Sequence, residues 1–383
     1  MDKRIMIVLG LGFFILLASW DFEIFGLDQE AVAKTEAGIP IVYNPKEPVG
    51  RDEQPVSLTL KLDFSIGDDS GDENYMFSEM GFINVDDQEN IYIIDWKETK
   101  IKVFDKYGKH VRSFGKKGQG PGELGMPQRM ELLPGNKLVV SDSANAKFVF
   151  FSLDGEFIKD VPMGRNRFLG RFRFDSDGCV YTDTRTYDEK KTIAEFKKFD
   201  PDFNPVATFA SVETTREPRV VNAFTPTLLI QMTSGENLVW GVTSEYQLTL
   251  MDRNGKILKK IVKDYEPVKI TKEHEKKLIL DTWGERGIRP GIKFEIPSHF
   301  PAIQYITIDD EDRLFVRTYD YQEIDGEYAE RYDIFDAEGR YIAKFFHPAD
   351  EVIFWPRKNK MYSLALATDE DVEMLKRYSM IWK

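Results

Sequence analysis

Four histidines, one cysteine and a few polar residues set inside apolar runs are what this 383-residue chain offers for chemistry. His274-Glu275 opens like the HExxH signature of zinc proteases, where two histidines one helical turn apart grip the metal. Leu278 stands where the second histidine is required, so that chemistry is excluded. Gly120-Pro121-Gly122-Glu123-Leu124-Gly125 matches GxGxxG letter for letter. A dinucleotide site needs that turn to open a helix whose N-terminus meets the pyrophosphate. Pro127 and a β-rich stretch follow instead, which favours a plain loop with glycines at positive φ. The acidic turns at Asp86–Asn90, Asp175–Gly178 and Asp309–Asp312 look like calcium loops, but none continues to a glutamate at its twelfth position. Asp and Gly stabilise tight turns directly, and that reading is preferred. His274, His299 and His347 could converge on a catalytic metal or be three unrelated surface residues; their spacing decides nothing. Cys179 has no histidine near it in sequence and reads as a small core hydrophobe.

Composition narrows the partners. With 52 Lys+Arg against 65 Asp+Glu the formal charge is -13, and no basic block is present, which argues against a nucleic-acid backbone. A single cysteine forbids an intrachain disulfide or a thiolate cluster. Residues 1–20 begin Met1-Asp2-Lys3-Arg4 and continue uncharged from Ile5 to Trp20, the layout of a secretory signal peptide. That run falls short of the roughly 20 apolar residues that span a bilayer comfortably, although an uncleaved N-terminal anchor stays open. Either way the body is expected to be exported to the periplasm or cell envelope, touching membrane only through such an anchor. Residues 21–55 are Pro-rich and patternless and read as an extended tether.

The elements that must position any site come from a repeat. An apolar strand followed by a tight turn recurs as FDKYG at 104, FSLDG at 151, FDPDFN at 199, MDRNG at 251 and FDAEG at 335. The spacings are 47, 48, 52 and 84, the last being one repeat plus an insertion. A period of about 40–50 residues made of short strands belongs to propeller blades. Five blades of four strands can be laid out between Met80 and Phe346, and a sixth after Glu351 has only three. The unused strand Val56–Ile66, alternating Leu58, Leu60, Leu62 and Phe64, completes it and removes two open edges. The expected fold over 56–383 is therefore an all-β, six-bladed β-propeller closed by an N-terminal outer strand. A short helical insertion, about 268–300 with Thr271 as N-cap, separates blades four and five.

Three stretches carry a likeness to a known family: FSIGDDSGDENYMFSEM, INVDDQENIYIIDWKETKIKVFDKYGKHVRSFGKKGQGPGEL and KLVVSDSANAKFVFFSLDGEF. Over residues 64–160 the chain resembles the NHL-repeat six-bladed propellers, within them the bacterial cell-envelope group. That resemblance implies a fold. Members of the wider class include binding scaffolds, hydrolases and lyases, so it implies no single activity.

Within each blade the turns joining the first to the second strand and the third to the fourth are short. The connections between blades are long, as at 115–126 and 211–224. Long loops on one face point to binding there, over the central channel. Polar residues in the innermost strands, Arg129, Arg171, Arg173, Gln231 and Gln304, are candidate channel-lining groups; Trp96, Arg185 and Tyr187 join them from connections on the same face. Arginines there could recognise a carboxylate or phosphate, or could simply be wet channel positions, which is the default. The expected function is an exported, non-catalytic scaffold engaging a protein segment or an extracellular polymer, with no cofactor. The alternative is a hydrolase or lyase whose divalent metal, zinc or calcium, sits at the channel mouth.

Overall fold

The structure, a computed structural model, describes residues 31–50, 56–67, 71–163, 171–324, 326–365 and 373–383. The leader expected over 1–20 lies outside them. Six four-stranded antiparallel units form a ring, as the repeat predicts. The innermost strands are Met80–Val85, Pro127–Leu133, Phe172–Phe174, Leu228–Met232, Tyr305–Ile308 and Glu351–Arg357. Each packs against the next around a central channel. Second strands such as Ile91–Asp95 are buried throughout, because neighbouring blades cover both of their faces. Outer strands such as His110–Phe114 alternate between exposed and half-buried residues.

The ring closes where the sequence places the closure. Leu58–Ile66 lies antiparallel to Met374–Trp382, with Trp382 opposite Leu58, Leu375 opposite Ile66 and a register shift between Arg377 and Tyr378. Ser57 and Lys383 exchange two further backbone hydrogen bonds of 3.0 Å. Pairing Leu58–Ile66 with Met374–Trp382 in one blade leaves no unpaired edge on the latter strand.

The acidic turns are built from their own carboxylates. Asp86 Oδ1 accepts the backbone N–H groups of Gln88 and Asn90, both at 2.8 Å, and Asp175 and Asp309 repeat the pattern. The fourth turn residue takes a left-handed conformation, yet glutamate or aspartate fills it at Glu89, Glu236 and Asp312, with φ near 60°. Two of these side chains staple one blade to the previous one. Ser176 donates from its backbone N–H and hydroxyl to Glu236, at 2.7 and 3.0 Å; Ser234 does the same to Asp312, at 2.6 and 3.0 Å. Charge-assisted bonds of this kind offset the backbone strain.

The segment expected as a tether is part of the ring's rim over its described residues. Val32–Glu36 and Ile39–Asn44 form a hairpin, and the second strand runs parallel to the outer strand of blade four, Ile257–Lys263. Asn44 is buried at the seam of blades four and five. Its amide donates to Gly339 O at 3.0 Å and Val262 O at 3.2 Å, and its oxygen accepts the Tyr341 N–H at 2.7 Å. Prolines made the segment read as structureless, but Pro40 sits near a strand start where its missing N–H is tolerated.

The insertion contains the expected helix, Lys272–Trp283, capped by Thr271. A short parallel pair, Val220–Asn222 with Lys293–Glu295, ties it to the connection between blades three and four. No helix among the described residues is long and apolar enough to cross a membrane.

Candidate functional site

Arginines from blades two and three meet inside the channel. Arg129 and Glu131 lie two apart on one strand, and Arg171 and Arg173 two apart just before and within the next, so each pair faces the same way. The strands run from the long-loop face toward the short turns. Arg129 and Arg171 therefore sit on the long-loop side, with Glu131 and Arg173 deeper in.

Bonds between blades form a polar floor across the channel. Arg173 donates to Gln231 Oε1 on blade four, and Gln231 Nε2 passes a bond of 2.7 Å to Ile306 O on blade five. Arg171 skips a blade, donating to the same carbonyl at 3.2 Å while its guanidinium lies 3.6 Å over the Tyr305 ring. Trp355 of blade six faces Arg173 from the opposite side, 5.7 Å from ring centre to guanidinium. Arg129 rests on Phe82 of blade one, 5.3 Å from its ring centre.

The charges in this floor are uneasy. Burial lowers the proton affinity of Arg171 to about 10, and neighbouring Arg129 and Arg173 add to it. Burial pushes Glu131 up to about 7. Arg173 is 3.9 Å from Glu131 Oε2 and opposes that shift only in part, because its own N–H groups serve Phe172 O and Gln231. Glu131 Oε1 accepts the Phe174 N–H at 3.3 Å, while Oε2 makes no hydrogen bond among the described residues.

Below the floor, on the short-turn face, a cavity of about 790 Å³ opens. Its floor is Glu131, Arg173, Gln231 and Trp355, and its rim is made of the first turns of blades one, two, four, five and six. Its volume is within the range of small-molecule sites. Loop length alone had directed attention to the other face. Short turns fold back on their own aspartates and leave this mouth open, which loop length does not reveal. Residues 164–170 and 366–372 lie outside the described residues.

The other candidates do not join this cluster. Gln304 turns back into its own blade, donating to Thr318 O at 2.7 Å and Glu330 Oε2 at 2.8 Å; Tyr305, one residue on and facing the other way, meets the channel. Arg185 is linked only indirectly, 3.8 Å from Asp183, whose carboxyl is pushed up by burial and pulled down by Arg185, Arg129 and Arg171. Tyr187 is exposed, and the Trp96 indole N–H is buried without an acceptor among the described residues.

The histidines stay apart. His274 completes the helix capping box with Thr271 and sits edge-on to Phe300 and Tyr321. His299 bonds Ser298 at 2.9 Å. His347 is buried between blades five and six, 2.9 Å from Glu351. Among the described residues, no three His, Cys, Asp or Glu side chains group as a metal site would require. Cys179 packs half-buried against the core, its thiol pushed up by burial and by Asp175. The glycine-rich loop leads into a strand, and of Gly120, Gly122 and Gly125 only Gly122 has positive φ.

Glu131, Phe82, Tyr305 and Trp355 were not foreseen. Period-two alternation would have found Glu131, since it shares a strand face with Arg129. The aromatics carry no such signal, because this chain uses aromatics for packing everywhere.

Residues 71–226 match the family model DUF5128, described as a 6-bladed beta-propeller. No curated protein matches the chain. Two solved structures share its fold. One is an exported-protein candidate from Bacteroides fragilis, 14% identical, covering 89% of this chain and 99% of its own, with a TM-score of 0.54. The other is a DUF4221-family protein from Bacteroides vulgatus, 13% identical, covering 85% and 98%, with a TM-score of 0.52. The chain is a six-bladed β-propeller, similar to that family across its first three blades and to these two structures around the ring.

Proposed function

We propose that this protein is an exported, NHL-type binding propeller, a non-catalytic scaffold whose central channel engages a protein segment or an extracellular polymer. One observation carries the reading. Side chains of blades three and four are tied to the Ile306 carbonyl of blade five, one of them skipping a blade, so recognition groups are held in place before any ligand arrives. Preorganisation of this kind lowers the ordering cost of association. Export is supported by the basic start and apolar run of residues 1–20 and by the likeness to an exported-protein candidate.

The test uses the full-length protein with two probes: size-fractionated polysaccharide and peptides from a bacterial envelope preparation. A component retained saturably, and recovered with unchanged mass, is the expected result. Chemical conversion of a retained probe would replace the scaffold by an enzyme. Retention of neither probe would sink the proposal.

A further inference from the structure

We infer that Arg129 and Arg171 form a binding site for an organic carboxylate in the long-loop half of the channel. The inference rests on the binding reading above and names the group recognised.

The first ground is missing compensation. Arg129 makes no side-chain hydrogen bond or ion pair with any described residue; its guanidinium lies over the Phe82 ring. Arg171 has one bond, to the neutral Ile306 carbonyl, and no carboxylate partner among the described residues. Both are partly accessible from the channel yet closely surrounded by protein. Beside them stand one more guanidinium, Arg173, and two carboxyls, Asp183 and Glu131. Among the described residues three cations face two acids, one of which burial holds at the edge of protonation near neutral pH. Placing cations in a low-dielectric channel without partners is costly, and an anion relieves the cost.

The second ground is geometry. Phe82 and Tyr305 support the faces of the two guanidiniums, Tyr305 at 3.6 Å. An aromatic ring beneath a guanidinium is favourable and leaves its edge, which carries the N–H donors, for a ligand. A planar carboxylate accepts two parallel N–H bonds from such an edge. The same aromatic walls suit an apolar body attached to that carboxylate.

The probe is 4-fluorobenzoate, followed by fluorine NMR on the full-length protein at low salt, with 4-fluorobenzamide as its uncharged counterpart. Expected are saturable benzoate binding and benzamide binding at least about tenfold weaker. Arg129→Met and Arg171→Met should each weaken benzoate by about tenfold, a loss of about 1.4 kcal/mol. Arg171→Met also removes the bond to Ile306 and can loosen the floor. Arg129→Met breaks no described bond and removes an uncompensated charge, so it should unfold at or above the wild-type temperature, and its loss of binding is decisive. Equal binding of the two probes, benzoate binding indifferent to Arg129→Met, or inorganic phosphate outcompeting benzoate would each overturn the carboxylate assignment. If benzoate fails while an envelope component is still retained, the inference falls and the scaffold stands. If neither binds, both fall.

Discussion

Glu131→Gln should make the protein more stable at pH 8, and the gain should fade as the pH is lowered to 4.5. Burial raises the folded-state value of this carboxyl to about 7 from an ordinary 4.5. Below 4.5 both folded and unfolded chains hold the proton, and the residue is neutral in the balance. Between 4.5 and 7 the unfolded chain releases the proton while the folded chain keeps it, so stability falls as pH rises. Above 7 the full deficit remains, about 3 kcal/mol for a shift of that size. Glutamine keeps the acceptor for the Phe174 N–H and never ionises. Urea unfolding of wild type and variant at pH 4.5, 6 and 8 reads the effect directly. A variant no more stable at pH 8 than at pH 4.5, relative to wild type, would mean that Arg173 at 3.9 Å neutralises Glu131 after all. An acid that weakens its own fold, kept at the floor of a cavity, fits a site under functional demand better than a packing position.

Glu351→Ala should cost about 3–5 kcal/mol, the range for breaking a buried charge cluster by removing one partner. This carboxylate starts the innermost strand of blade six and is buried. It accepts bonds from Lys376 at 2.6 Å, Ser363 at 2.6 Å and Tyr378 at 3.1 Å, and it pairs with His347 of blade five at 2.9 Å. Burial alone would raise its value, but the bonds from His347, Lys376 and Ser363 win and hold it at about 2. The sign is opposite to that of Glu131. Glu351 contributes stability fully above the ordinary 4.5 and loses it as the pH falls toward 2. Glu351→Gln should therefore flatten the acid limb of the stability profile below 4.5. A Gln variant with an unaltered acid limb would contradict this account. The Glu131 window lies between 4.5 and 7 and the Glu351 window below 4.5.

Most of the ring was legible because propeller blades repeat. A tight Asp-bearing turn recurring at spacings of 47, 48, 52 and 84 marked the outer turns, and a three-strand remainder demanded Leu58–Ile66. The hairpin at Val32–Asn44 was not legible. It belongs to no repeat, and its docking depends on Asn44 reaching Gly339 and Tyr341, nearly 300 residues away. The site was half legible. Arg129, Arg171, Arg173 and Gln231 converge because a polar residue on an apolar innermost strand has only the channel to face. Gln304 shows the limit of that rule: one position of strand parity sends it into its own blade and Tyr305 to the channel. The histidines show another limit, since sequence separation says nothing about which loops meet.

The central claim is that ligands dock in the channel, and hydrogen–deuterium exchange of the full-length protein with the retained envelope component tests it most directly. The account predicts slowed exchange in the innermost strands, Pro127–Leu133, Phe172–Phe174, Leu228–Met232 and Tyr305–Ile308, above all near Arg129 and Arg171. Slowed exchange confined to outer strands such as His110–Phe114 or Phe157–Pro162, with the innermost strands unchanged, would place the interface on the rim and contradict it.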